Sequence, residues 1–181
     1  DLVDTVYVDF EDSSPNTDAG MDGEQMFTGL SEGIHTVYAR CQDNVNLYSY
    51  VVTDTITVDM TNPDSEITSI PDTTTGPIII QGNATDNFEV DSVYLTLQND
   101  STGDYWNPST SEWGMINTFS AIPVDGDFDE GSESWYYDTN LPNWAYNTYT
   151  IDAGSYDAAG NAQSPLDRKS TRLNSSHRLR S

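Results

Sequence analysis

Hydrophobic and polar positions alternate through two stretches of the chain that repeat one another. In His35–Asn46 (HTVYARCQDNVN) and Tyr149–Asn161 (YTIDAGSYDAAGN), an offset of 114 pairs His35 with Tyr149, Val37 with Ile151, Ala39 with Ala153 and Cys41 with Ser155. Positions two apart share one face of an extended chain, so each stretch predicts a strand that presents large, branched, small, small to a core. Each follows a residue that readily adopts positive φ, Gly33 or Asn147. Each then breaks into a turn opened by an acid, Asp43 or Asp157. The first turn, DNVN, lacks the glycine of the second, which leaves the two geometries free to differ.

The pattern around these stretches predicts β-structure throughout. In residues 1–60, VDTVYVDF reads as a strand and SSPNTDAGMDG as a polar loop. MFTGL, the repeated strand and VVTDTITVDM follow, the last with Ile56 and Val58 alternating with Thr. Thr61–Pro63 reads as a boundary, because a residue before proline is held extended. In residues 61–166 the candidate strands are Ser65–Ile70, Pro77–Ala84, Val90–Gln98, Trp113–Ala121, Ser134–Tyr137, Thr148–Tyr156 and a short exit at Ala162–Ser164. Short strands, frequent turn signals and no helical period predict an antiparallel β-sandwich. Leu97–Trp113 reads as a long hairpin with its tip at Asn107–Ser111, so that Tyr105, Trp106 and Trp113 face one another across it. Residues 1–60 hold too few strands for a sandwich and read as a partial module whose earlier strands are missing.

These motifs resemble the bacterial and archaeal immunoglobulin-like repeats of large secreted and cell-surface proteins. GNATDN, SVYLTLQNDSTGDYW and YTIDAGSYDAAGN carry the resemblance in residues 61–166, and FTGLSEGIHTVYARCQDN with ITVDMTNP carries it in residues 1–60. It implies an all-β fold of tandem immunoglobulin-like antiparallel β-sandwiches, the first incomplete. It also implies an extracellular or cell-surface setting, and neighbouring modules of the same chain as partners. The function it implies is architectural, a spacer or stalk. The alternative is a carbohydrate- or protein-binding module, accessory to a secreted hydrolase.

Charge sharpens this picture. The formal net charge is −24, and through Leu166 one Arg stands against 29 acids, a balance of −28. Such a field repels nucleic acid and anionic membrane surfaces and attracts cations. No run of 18 apolar residues is present to insert in a membrane. Five of the six basic residues fall in the last 14 positions, where Asp167–His177 (DRKSTRLNSSH) resembles the in-frame translation of a sequencing adapter. Residues 167–181 are therefore expected to be an artefactual, disordered tail that carries no function.

Catalytic chemistry finds little to use. His35 is the only histidine before that tail and is exchanged for Tyr in the repeat, which marks it as packing. Cys41 is the only cysteine, exchanged for Ser, so no intrachain disulfide forms and the thiol lacks a second His. Phosphate-cradling loops and clustered Cys/His spacings are absent. The expectation is a non-enzyme that needs no cofactor.

Calcium is the ion that the acidic loops would suit, because its ligands are carboxylate, amide and carbonyl oxygens. In a sandwich of this kind the loop after the second strand, the loop before the last strand and the incoming linker gather at one end. Those segments supply Asp86 and Asn87, Asp157 and Asn161, and Asp59 and Asn62. The competing reading is that these Asp and Asn side chains simply cap turns. Tyr105, Trp106 and Trp113 are the candidates for stacking on a sugar if their rings are exposed, and for core packing if they are not.

Overall fold

The computed structural model describes residues 3–20, 24–70, 78–145 and 147–173. Two compact units divide the chain, Asp1–Met60 and Thr61–Ser181. All regular structure among the described residues is β.

The first unit is a three-stranded antiparallel sheet of β1 (Val3–Phe10), β2 (Gly33–Asp43) and β3 (Val52–Val58), in the order β1-β2-β3. Its register sets Phe10 opposite Val37, Val8 opposite Ala39, and Val6 opposite Cys41. On the other side His35 lies opposite Ile56 and Ala39 opposite Val52. Directly opposed residues point the same way, so one face of the sheet is apolar. Val8 is buried there, whereas Val52 is 65% exposed and Ile56 48%. The MFTGL segment is irregular, with Gly29 at φ 71°.

The second unit is a two-sheet sandwich. One sheet contains β4 (Asp64–Ser69), β5 (Ile80–Thr85), β10 (Ile122–Pro123) and β11 (Ser132–Tyr137), in the order β10-β11-β5-β4. The other contains β6 (Val90–Asn99), β7 (Tyr105–Asn107), β8 (Glu112–Gly114), β12 (Asn147–Asp157) and β13 (Asp167–Leu173), in the order β13-β12-β6-β7-β8. The two-residue β9 (Phe119–Ser120) also pairs with β6. With β4, β5 and β11 in one sheet and β6, β12 and β13 in the other, the strand order is that of an immunoglobulin-type sandwich.

Alternation decides which side chains enter the core. β5 buries Ile80, Gly82 and Ala84 and exposes the residues between, while β11 buries Glu133, Trp135 and Tyr137. Facing them are Val93, Leu95 and Leu97 of β6 and Tyr149, Ile151 and Ala153 of β12. Trp135, 1% exposed, lies directly over Gly82. A Cβ built on Gly82 would sit 2.1 Å from Trp135 Cζ2 and 2.2 Å from the Glu66 carbonyl.

The sheets of the two units share one register. Val6, Val8 and Phe10 oppose Cys41, Ala39 and Val37, and Val93, Leu95 and Leu97 oppose Ser155, Ala153 and Ile151 in the same order. The turns after β2 and β12 also agree. Asp43 N–H donates to the Leu47 carbonyl at 3.0 Å and Asp157 N–H to the Asn161 carbonyl at 3.2 Å. Leu47 and Asn161 amides donate to the respective aspartate Oδ1 atoms, each at 2.8 Å. Asn46 at φ 63° occupies the place that Gly160 fills at φ 90°. Asn tolerates the left-handed region better than other residues with a Cβ, so the missing glycine changes nothing in the turn.

Three other expectations are corrected. The segment Trp113–Ala121 is not one strand but β8 and β9, and Ala162 makes only an isolated bridge to Tyr156. The start expected at Pro77 lies outside the described residues. The disorder expected from residue 167 onward is corrected for residues 167–173: Asp167–Leu173 pairs with β12 along its length as β13. Its core-facing side is polar but engaged, since Asp167 Oδ2 accepts the Ile67 amide at 2.7 Å and Lys169 lies 4.0 Å from Glu66. On the opposite face Arg168 clasps Asp152 through two bonds of 2.6 and 2.9 Å. Residues 174–181 lie outside the described residues.

The Gly82–Trp135 contact yields a direct test. Gly82→Ala should destabilise the second unit by about 3 kcal/mol or more, as overpacking against backbone does. Gly114→Ala, where an added Cβ meets nothing within 4 Å, should be nearly neutral. Urea unfolding followed by tryptophan fluorescence distinguishes the two.

Candidate functional site

Two loops of the second unit bring carboxylates together. Asp86 follows β5, and its Oδ1 accepts the amides of Phe88 at 2.8 Å and Glu89 at 3.1 Å, while its own amide donates to the Gly131 carbonyl. This closes the turn into β6 and aims the other oxygen inward. Asp86 Oδ2 is buried without a hydrogen-bond partner among the described residues. Asp157, at the end of β12, is 3% exposed and accepts the Asn161 amide on Oδ1 and the Asn161 side-chain Nδ2 on Oδ2, both at 2.8 Å. A carboxylate oxygen of Asp86 and one of Asp157 lie within 4.8 Å of each other.

Two anions at that separation repel, and burial raises the cost. A cation between them would reverse the sign of that interaction, and the hard-oxygen donor set suits calcium. The turn-capping reading also holds, since both aspartates bond backbone amides of their own turns. Capping leaves Asp86 Oδ2 unexplained.

The other candidates differ in exposure. Asn87 is exposed in the Asp86 turn, and Asn161 is half-buried against Asp157. Asn62 is exposed and lines a groove of about 450 Å³ with Asp64, Ser65 and Gln163. Asp59 belongs to the first unit, just beyond β3, and is half-buried. Glu133 closes the acidic stretch Asp125–Glu133 (DGDFDEGSE). It is 3% exposed and turns back to accept the Asp129 and Glu130 amides at 3.0 and 2.9 Å. The buried amide side chain of Gln163 joins Ser65 and Asp64 to the end of β12. Its only sequence signal is its position two residues past Asn161.

The aromatic hairpin forms, with Trp106 opposite Trp113 and Tyr105 opposite Gly114. Its rings are not an exposed platform. Trp106 is 6% exposed and donates its indole N–H to the Asn140 carbonyl at 2.7 Å. Trp113 is half-buried, packed on Trp106 and stacked on Tyr149 at 5.9 Å, and Trp144 meets Tyr149 edge-on. The register puts both indoles on the core side of the hairpin, so Trp106 is corrected from ligand candidate to core residue. Tyr105 is half-buried; the outer margin of Trp113 borders a shallow cleft of about 290 Å³ with Asn107, Glu112 and Met115.

In the first unit His35 is 7% exposed. Its Nδ1 lies 2.7 Å from Glu11 Oε1 and its Nε2 2.7 Å from the Ser31 carbonyl. Both neighbours are acceptors only, so the doubly protonated ring satisfies both. The ring packs on Phe10 at 4.7 Å.

No protein-family profile matches the chain, and no curated protein does. Among solved structures it is similar to the fibronectin(III)-like modules of CbhA from Clostridium thermocellum. The identity is 14%, the match covers 96% of this chain and 79% of that one, and the TM-score is 0.38. The strand order described above, not this likeness, carries the fold.

The His35 site generates a pH prediction. The Ser31 carbonyl first, then the Glu11 side chain, hold the imidazolium and raise its pKa above the ordinary value, with burial acting in the opposite direction. A pKa raised in the folded state stabilises below the unfolded value of about 6.5, and that stabilisation is lost as pH rises through the folded pKa. The first unit should therefore loosen above about pH 6.5, and His35→Gln should remove the dependence. An imidazole titration by NMR that gives a pKa below the free value would contradict the geometry.

Proposed function

We propose that this chain is a non-catalytic spacer segment of a larger extracellular or cell-surface protein, built from tandem immunoglobulin-like modules of which the first is incomplete. The matching strand registers of the two units carry the reading. Incompleteness is supported by the apolar strip at Val52 and Ile56. In the second unit β4 packs over β12 and β13 at the corresponding place, and Ile151 and Ala153 are fully buried beneath it. A spacer needs a rigid core, and the tryptophans of the second unit are spent on one.

Calcium is the proposed ligand of the second unit, held by Asp86 and Asp157 with oxygens from Asn87, Asn161 and the neighbouring backbone. The buried Asp86 Oδ2 supports this. Free calcium at about a hundred times its Kd should stabilise the unit by about 2.7 kcal/mol, read as a rise in Tm over a chelator control. Asp86→Asn should abolish the calcium response and, without calcium, raise Tm by relieving the carboxylate pair. An unchanged Tm at millimolar calcium in the parent chain would remove the site.

The second reading, a carbohydrate-binding module, is favoured by the cleft beside Trp113. A glycan array probed with the full chain separates the two. The spacer reading expects no retained glycan; retention that Trp113→Ala abolishes would overturn it in favour of the binding module.

A further inference from the structure

We infer that β3 pairs edge to edge with β3 of a second copy of this chain, about a two-fold axis through Thr55, joining two three-stranded sheets into one. This inference stands apart from the spacer and calcium readings and rests on the first unit alone.

The edge is open and faces outward. Among the described residues β3 bonds only to β2, whereas the far edge of the sheet is occupied, since Thr17–Gly20 bond to β1. All residues of β3 except Val58 are exposed. The Thr36 carbonyl accepts the Glu11 amide on the β1 side, and Thr36 lies opposite Thr55. Since both backbone groups of a strand residue point one way, Thr55 presents its polar backbone away from β2. Among the described residues its amide is met only by the neighbouring Asp54 carboxylate, at 2.8 Å. By alternation Thr53 and Thr57 also point outward.

The strand is complementary to itself. An antiparallel partner centred on Thr55 sets Thr53 opposite Thr57 of the partner subunit, Asp54 opposite the partner's Ile56, and Val52 opposite the partner's Val58. Thr–Thr and β-branched pairs are favourable neighbours across strands. The one charge of the strand, Asp54, faces no charge. Elsewhere the surface is heavily acidic, with a chain charge of −24, so this seven-residue strand is a place where two copies can approach. An unpaired, β-branched edge without proline is also a template for strand addition.

Two copies of such charge repel through solvent, and salt screens that repulsion. Light scattering after size exclusion should therefore show a monomer–dimer equilibrium that shifts to dimer as sodium chloride rises. Hydrogen exchange should slow at the Thr53, Thr55 and Thr57 amides in parallel. Thr55→Lys sets like charges across the axis and should weaken the dimer at least about tenfold. Asp54→Ala frees the Thr55 amide and should tighten it about fivefold. Both positions are exposed, and circular dichroism checks that each variant is folded. A monomer at every salt and protein concentration overturns the inference, as does a dimer indifferent to Thr55→Lys.

Discussion

The second unit depends on the seating of one indole ring. Trp135 fills the space above Gly82 so closely that no Cβ fits there, and the Glu66 carbonyl of β4 closes the same space from the side. Three adjacent strands of one sheet are thereby fixed at one point. The side chains of β6 and β12 then close over them, in a core that runs from Ile67 to Ala153. Glycine inside a strand weakens it through entropy and lost packing; here the ring it admits supplies the packing, which is why β5 can carry it.

A second constraint is the register of the central ribbon in each sheet. The repeat was legible at an offset of 114 because His35–Cys41 and Tyr149–Ser155 alternate in step. The matching neighbour strands were legible too, in principle: VDTVYVDF and VDSVYLTL begin nearly alike, with Val3 and Val90 at corresponding places. Their offset differs from that of the ribbon because the connections between strands differ in length, so a search at one fixed spacing passes over them. The turn after β2 shows the reverse case. Its composition suggested a different geometry, yet Asn46 reaches the conformation that Gly160 adopts.

The acidic loops were readable as a group and only partly as a site. Loop reasoning brought Asp86 and Asp157 together because both stand at ends of strands on one side of the sandwich. It could not set Asn62 apart, which the fold turns toward Gln163 instead. The hairpin aromatics failed for another reason. Alternation says that Trp106 and Trp113 share a face, but a pattern with aromatics at successive positions, Tyr105 then Trp106, does not say which face is the core. β13 was missed because its composition changes abruptly, whereas a backbone ladder along β12 demands only an extended chain.

That last strand sets a minimum length for the second unit. Asp152 is 8% exposed, and the Arg168 guanidinium is its bidentate counter-ion. A version of the unit truncated after Leu166 would keep most of its apolar core and yet lose the ladder along β12 and the Asp167 carboxylate that accepts the amide of fully buried Ile67. The extent of the folded piece is thus decided by backbone pairing and a capped amide rather than by hydrophobic area, and trimming by composition alone would cut inside the sheet.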